Sequence, residues 1–312
     1  MSNIPEAAQV LVDFKPTKDF FVGIDSDGCA MDAMDIKHLE CFTPNTIKHW
    51  GLQPVSTLAR ETALFVNLYS ITRGLNRWVA LKQVLDLLRE RSEVAERGFE
   101  VPAGTELQAF LDAPGYPLSD KGVAAYAADH PSDEIQMAIN WGNGVNQTIA
   151  WMVHNCGPFP GVKGAFQAMQ ESVDCMTVSA TPLEALNREW SEHGLAQYMK
   201  VIAGQEMGGK AQHVEYAAKG KYPDNHIMLI GDAPGDRDAA AKEGVLYYPI
   251  IPGEEKQSWK RFTDEALPKF LNEEFEGEYQ KSLIDEFNSH LPAHVPWDTL
   301  SGDKAVKMPH VK

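Results

Sequence analysis

Two short stretches hold most of the chemistry this chain can offer. The apolar run 19–24 ends in Asp25-Ser26-Asp27-Gly28, and the apolar run 226–230 ends in Gly231-Asp232-Ala233-Pro234-Gly235-Asp236. A single Asp-Gly pair reads as a turn or a helix cap. Two apolar runs that each end in paired acids ask for more. Crowded carboxylates repel and need protons or a cation to coexist. Mg²⁺ suits them, because it takes oxygen ligands and combines few carboxylates with waters and phosphate oxygens. In Asp25-Ser26-Asp27 the two acids lie two residues apart, on the same side of an extended segment. One can attack phosphorus and form an acyl phosphate. The other can protonate the departing oxygen. Gly28 lets the backbone come close to a phosphate.

Ser179 and Lys210 complete an anion site. Ser179 follows the apolar run 173–178 and offers a hydroxyl donor, with the next amides beside it. Lys210 follows Gly208-Gly209 and opens a helical pattern, where a cation and exposed amides can share an anion.

The elements that must position these residues follow from patterning. The runs 19–24, 173–178, 198–202 and 226–230 read as strands covered on both faces, with helical stretches at 162–172, 182–193 and 210–219 between them. That alternation predicts βαβ units in an α/β, doubly wound (Rossmann-like) parallel sheet. In such sheets reacting groups gather outside the carboxyl ends of the strands, where strand order reverses. Residues 31–156 are long enough for a domain of their own and mostly helical, with helices expected at 57–70, 74–96 and 132–153. The expected division is therefore 1–30 with 157–312 for the α/β core and a C-terminal arm, and 31–156 for an inserted helical domain. In the arm, Trp259, Phe262, Leu267, Phe270, Tyr279, Leu283 and Phe287 recur in acidic helical text and read as a face packed on the core. The last dozen residues, with Lys304, Lys307 and Lys312, read as a frayed end. Arg73 and Arg77, i and i+4 with Asn76 and Trp78 alongside, read as a solvated helix face, the alternative being a face turned toward a charged or sugar-like leaving group. Asn140, Trp141, Asn143 and Asn146 around Gly142 and Gly144 read as a helix break or a helix–helix contact.

Composition narrows the classes. The 312 residues carry 28 Lys and Arg against 44 Asp and Glu, a net charge of −16, with 44% hydrophobic residues. That acidity speaks against nucleic acid or an anionic membrane as the main partner. No run approaches a membrane span, and the opening residues lack a signal-peptide layout. Cys29, Cys41, Cys156 and Cys175 form no CxxC pair, so they read as reduced thiols of a cytoplasmic protein. A histidine-built metal site is not expected.

The order of these motifs resembles the haloacid dehalogenase-like (HAD) hydrolase superfamily. The strand-DxDG motif matches residues 22–28, the strand-Ser/Thr motif 176–179, the lone lysine Lys210, and GDxxxD residues 231–236. The resemblance covers residues 19–30 and about 157–250. It implies a Mg²⁺-dependent phosphohydrolase for a small phosphorylated metabolite, working through an aspartyl-phosphate. Asp25 would be nucleophile and metal ligand, and Asp27 general acid/base with its main-chain carbonyl on the metal. Ser179 and Lys210 would hold the phosphoryl group, Asp232 would bind the metal, and Asp236 would either support Lys210 and the metal shell or bind the metal itself. The insert resembles the family's helical cap. Cys29 stands where the family has Thr. An acid at position 27 favours phosphate esters or phosphoryl transfer over dehalogenation or phosphonate cleavage. A phosphotransferase or mutase on the same site, and a non-catalytic binding protein, are the rival readings.

Overall fold

The computed structural model describes residues 4–306. Five strands form one parallel sheet: β1 Phe20–Ile24, β2 Val173–Val178, β3 Val201–Ala203, β4 Ile227–Gly231 and β5 Leu246–Pro249. Their order is β3-β2-β1-β4-β5, the doubly wound arrangement. Register places Ile24 beside Thr177 on one side and beside Ile230 on the other.

Burial on both faces explains the near-continuous apolar strands. Phe20, Val22 and Ile24 join Val162, Phe166, Trp190, Trp259 and Phe262 in one core. Phe21 faces the other way, with Met176, Val178, Val214, Ile227, Leu229 and Tyr247. Gly23 has no room for a side chain, since a Cβ there would lie 2.9 Å from Val178 Cγ2. Helices follow the strands at Leu183–Glu192, Lys210–Ala217 and Pro234–Glu243.

Two differences from the expected sheet have plain causes. Of the run 198–202 only the end is strand, because Ala196–Tyr198 turns as a 3₁₀ helix. β5 was not anticipated. Its Tyr247 and Tyr248 are buried because each hydroxyl finds an acceptor, Tyr247 on the Gly231 carbonyl and Tyr248 on that of Ser258.

The chain divides into two compact units, 4–34 with 154–290 and 35–153 with 291–306 among the described residues. The junctions differ by a few residues from the 30/31 and 156/157 of the sequence reading. Met31 pairs antiparallel with Pro158, the Asp32 amide donates to the Gly157 carbonyl, and the Phe159 amide donates to that of Ala30. These bonds keep both linker ends with the sheet. The arm also divides. Trp259, Phe262, Phe270, Leu283 and Phe287 are buried in the sheet unit.

Residues 291–306 belong instead to the helical unit. Trp297 packs edge-on to Phe65 with the Arg91 guanidinium 4.5 Å from its ring, and Val306 is buried beside Ala63, Val66 and Val84. The Leu300 amide donates to the Glu90 carbonyl, and the Ser92 amide to that of Asp298. The expected fraying falls partly on residues 307–312, outside the described residues; the rest, through Val306, is hydrogen-bonded and packed.

The helical unit contains Ser56–Asn67, Arg77–Glu90, Ser92–Glu96, Thr105–Asp112, Asp120–Asp129 and Asp133–Met152. Asn76 caps the helix that starts at Arg77, its side chain accepting from the Trp78 amide. Arg73 therefore does not share that helix.

Candidate active site

The β1 and β4 ends lie side by side at the centre of the sheet. The Asp25 amide donates to the Ile230 carbonyl over 2.9 Å, so the loop after β1 is fastened to β4. Asp25 is 6% exposed. Ser26 is buried in the core, its hydroxyl accepting from Trp190 Nε1 at 2.9 Å. The Ser26 carbonyl accepts from the amides of Cys29 and Met31, and Gly28 takes a left-handed φ of 80° that lets the chain turn there. Asp27 Oδ2 accepts from the Thr181 hydroxyl at 3.1 Å.

Asp232 follows β4, and Asp236 stands in the first turn of Pro234–Glu243. Asp236 Oδ2 accepts from the Ala233 amide at 3.1 Å, closing the helix start. Gly231 makes room for this: a Cβ there would lie 2.2 Å from Asp236 Cγ. Lys210, first residue of its helix, reaches across with Nζ 2.5 Å from Asp236 Oδ1 and 3.0 Å from Asp25 Oδ2.

Charge explains the protonation states. Burial alone would favour a neutral Lys210, yet Asp236 and Asp25 hold it protonated, its pKa above the usual lysine range. Burial pushes the Asp236 carboxyl up to about 6, with Lys210 opposing and Asp25 adding to the rise. Burial, then Asp232 and Asp25, push the Cys29 thiol well above its ordinary value. Cys29 is fully buried, with Sγ 3.7 Å from the Ile230 carbonyl.

Asp25, Asp232 and Asp236 each offer an oxygen such that all three atoms lie within 4.8 Å of one another. All three residues are buried. Three carboxylates against one ammonium leave an excess of negative charge, and the donors are all oxygen. That donor set fits a hard divalent cation and not a thiolate- or imidazole-loving one.

The six sequence-designated residues thus divide. Asp25, Lys210, Asp232 and Asp236 converge. The Asp27 carboxylate stands outside the three-acid cluster, in contact with Thr181. Ser179 is buried at the end of β2, where its amide donates to the Ala203 carbonyl and its Oγ accepts from the Thr181 amide at 3.2 Å. The Ser179 hydroxyl proton is left for another acceptor.

Sequence reasoning missed Thr181 and Trp190. A Ser-x-Thr-Pro run before a helix was the available signal for Thr181; none existed for Trp190, whose bond to Ser26 spans distant parts of the chain.

In the helical unit Arg77 is engaged rather than solvated. It donates to Asn146 Oδ1 at 2.7 Å and lies 5.1 Å from the Phe42 ring centre. Arg73 is buried and donates to the Leu68 carbonyl. Gly142 and Gly144 do not break Asp133–Met152. They allow close packing, since a Cβ would lie 2.9 Å from Trp78 Cη2 at Gly142 and 2.5 Å from Asn45 Oδ1 at Gly144.

No family model matches the sequence, and no curated protein matches it. Among solved structures the chain is similar to a haloacid dehalogenase-like hydrolase from Streptococcus pneumoniae, at 13% identity, 78% of this chain, 92% of that chain and a TM-score of 0.42. It is also similar to a predicted phosphoglycolate phosphatase from Haemophilus somnus, at 12% identity, 76% and 88% coverage and a TM-score of 0.47. A third is β-phosphoglucomutase from Clostridium difficile, at 15% identity, 82% and 98% coverage and a TM-score of 0.45. No helix among the described residues is long and apolar enough to cross a membrane.

Proposed function

We propose that the chain is a HAD-like phosphohydrolase that cleaves a small phosphate monoester through a phosphoryl group carried on Asp25. One observation supports this most directly: the buried carboxylates of Asp25, Asp232 and Asp236 crowd within 4.8 Å beside Lys210, at the strand ends where parallel sheets bind ligands. Turns and caps do not need three buried acids so close; a phosphate site built around a divalent ion does.

In this reading Asp25, Asp232 and Asp236 would hold Mg²⁺, with the Asp27 main-chain carbonyl as a further ligand. The ion, when bound, supplies Lewis-acid neutralisation of phosphate charge. The chain's own residues do the rest. The Asp25 carboxylate oxygen forms a bond to phosphorus as the ester P–O bond breaks. Asp27 gives its proton to the departing oxygen and afterwards takes one from the attacking water. The Lys210 ammonium compensates charge on the phosphoryl oxygens, and Ser179 donates its hydroxyl to one of them. Positioning and electrostatics carry most of the acceleration in such transfers. The helical unit 35–153 with 291–306 takes the part of a cap that selects the leaving group.

The test is hydrolysis of an aryl phosphate with Mg²⁺ by the wild-type chain and by Asp25→Asn. Turnover that disappears in Asp25→Asn and on chelation, with an unchanged circular dichroism spectrum, is expected. Full activity in Asp25→Asn removes the nucleophile from the scheme. An added sugar acceptor that collects the phosphate in place of water would make the protein a phosphotransferase. Inactivity toward a broad panel of phosphorylated metabolites would leave a binding protein.

A further inference from the structure

The segment after β2 grips the loop after β1 at two successive residues. Trp190 Nε1 donates to Ser26 Oγ at 2.9 Å, and Thr181 Oγ1 donates to Asp27 Oδ2 at 3.1 Å. Thr181 is itself held from both sides. Its amide donates to Ser179 Oγ, and its carbonyl accepts from the Gln205 amide at 3.1 Å. Gly204 permits that approach, since a Cβ on it would lie 2.9 Å from the Thr181 oxygen. Pro182 then fixes the exit into the helix Leu183–Glu192.

From this geometry we propose that Thr181 is a positioning residue for Asp27, holding its carboxyl in the orientation from which it hands a proton to the leaving group. The inference rests on the function proposed above. A threonine hydroxyl has one proton to donate. Here it goes to Asp27 Oδ2, so Oδ2 is the oxygen by which the carboxyl is anchored. The Asp27 proton passes to the departing ester oxygen as the P–O bond to the leaving group breaks and the Asp25–phosphorus bond forms. Asp27 ends as a carboxylate with Oδ2 still bound to Thr181, oriented to take a proton from water in the second step. Because the hydroxyl is spent on Asp27, Thr181 contributes nothing directly to the phosphoryl group. Its effect must depend on how much the leaving group needs a proton.

That dependence gives the experiment. kcat/KM, which covers steps up to departure of the leaving group, is measured with Mg²⁺ for an alkyl phosphate and for dinitrophenyl phosphate, whose phenolate leaves without help. Thr181→Val is expected to lose about 10- to 100-fold on the alkyl ester, as misorientation of an acid implies, with little change on the dinitrophenyl ester. Thr181→Ser, which keeps the donor, restores the alkyl activity. Asp27→Ala shows the same selectivity with a larger loss. Should Thr181→Val fold poorly by circular dichroism, the smaller Thr181→Ala is compared with Thr181→Ser in the same way. Equal losses on both esters, no loss on either, or failure of Ser to restore activity overturn the proposal. A wild-type chain inert toward both esters, or an active Asp25→Asn variant, instead overturns the functional reading beneath it.

Discussion

The amide of Asp25 donates to the carbonyl of Ile230 over 2.9 Å, a single bond that ties the two acidic loops together although about two hundred residues separate them. The bond extends the β1–β4 ladder by one step, so the position of Asp25 relative to Asp232 is set by sheet register and not by loop flexibility. Carboxylates held at such a distance by backbone pairing cannot drift apart to relieve their repulsion. They must be compensated where they stand, and Lys210 is the compensating group in the chain itself.

Removing that group should be felt strongly. Lys210→Met leaves Asp25 and Asp236 without their cation, and loss of one electrostatic stabiliser of this kind costs about 100- to 1,000-fold in kcat. Phosphatase assays at saturating Mg²⁺ provide the measurement. Retention of wild-type kcat would separate the lysine from the chemistry.

Gly231→Ala tests the packing behind the acids. The added methyl would overlap Asp236 Cγ, 2.2 Å away, and a forced shift in a packed core costs about 1–3 kcal/mol. Asp236 would lose its bond to the Ala233 amide, so a higher Mg²⁺ concentration for half-maximal activity should accompany the lower melting temperature. A variant with normal stability and metal response would mean that the Asp236 side chain has room to move.

At the opposite end of the sheet Asp174 is fully buried on β2. It accepts from the Thr17 amide and hydroxyl, the Lys18 amide and Tyr222 Oη, with Lys200 Nζ at 3.5 Å. Burial alone would raise its pKa; the donors from Thr17, Tyr222 and Lys18 outweigh burial and hold the carboxyl below its ordinary value. A depressed carboxylate stabilises the fold above its unfolded pKa and loses that contribution as pH falls through the folded one. Asp174→Asn should therefore destabilise the protein by about 2–4 kcal/mol at neutral pH. The gap to wild type should narrow below pH of about 4. Denaturant melts at several pH values supply both numbers.

His213, one turn after Lys210 and buried, also costs stability as pH falls, in a higher pH window. Burial first, and then the Lys210 charge, lower its pKa from 6.5 to about 4. The unfolded chain takes up the proton first, so stability falls as pH drops from 6.5 toward 4. His213→Gln should flatten that part of the melting-temperature profile. An unchanged slope would assign it to other groups.

Trp297 is the test of the helical unit. Trp297→Ala removes its contacts with Phe65 and Arg91 and should cost about 2–4 kcal/mol, confined to the unfolding of residues 35–153 with 291–306 if the two units melt separately. A loss spread evenly over both transitions would contradict that assignment.

How much of this was legible follows from burial. β1 and β4 stood out because strands covered on both faces are continuous apolar runs, and their acids fell where such strands end. Lys210 was placed by its position at a helix start. β5 was hidden because two tyrosines look amphipathic until their hydroxyls find partners in Gly231 and Ser258. Arg73 and Arg77 looked like one helix face because nothing in their spacing reveals that Asn76 starts a new helix between them. Thr181 and Trp190 act through contacts with residues far away in the chain, which no local pattern encodes. The docking of Trp297 and Val306 on Phe65 and Ala63 was invisible for the same reason.

That docking has a consequence for how the protein is made. The backbone passes from one unit to the other three times, after residues 34, 153 and 290. On the ribosome, the helical unit is translated long before Trp297 and Val306 emerge, and Phe65 and Ala63 wait uncovered meanwhile. The helical unit is thus completed only after the sheet unit has been translated, and a nascent chain stalled before residue 291 leaves Phe65 and Ala63 without the cover of Trp297 and Val306.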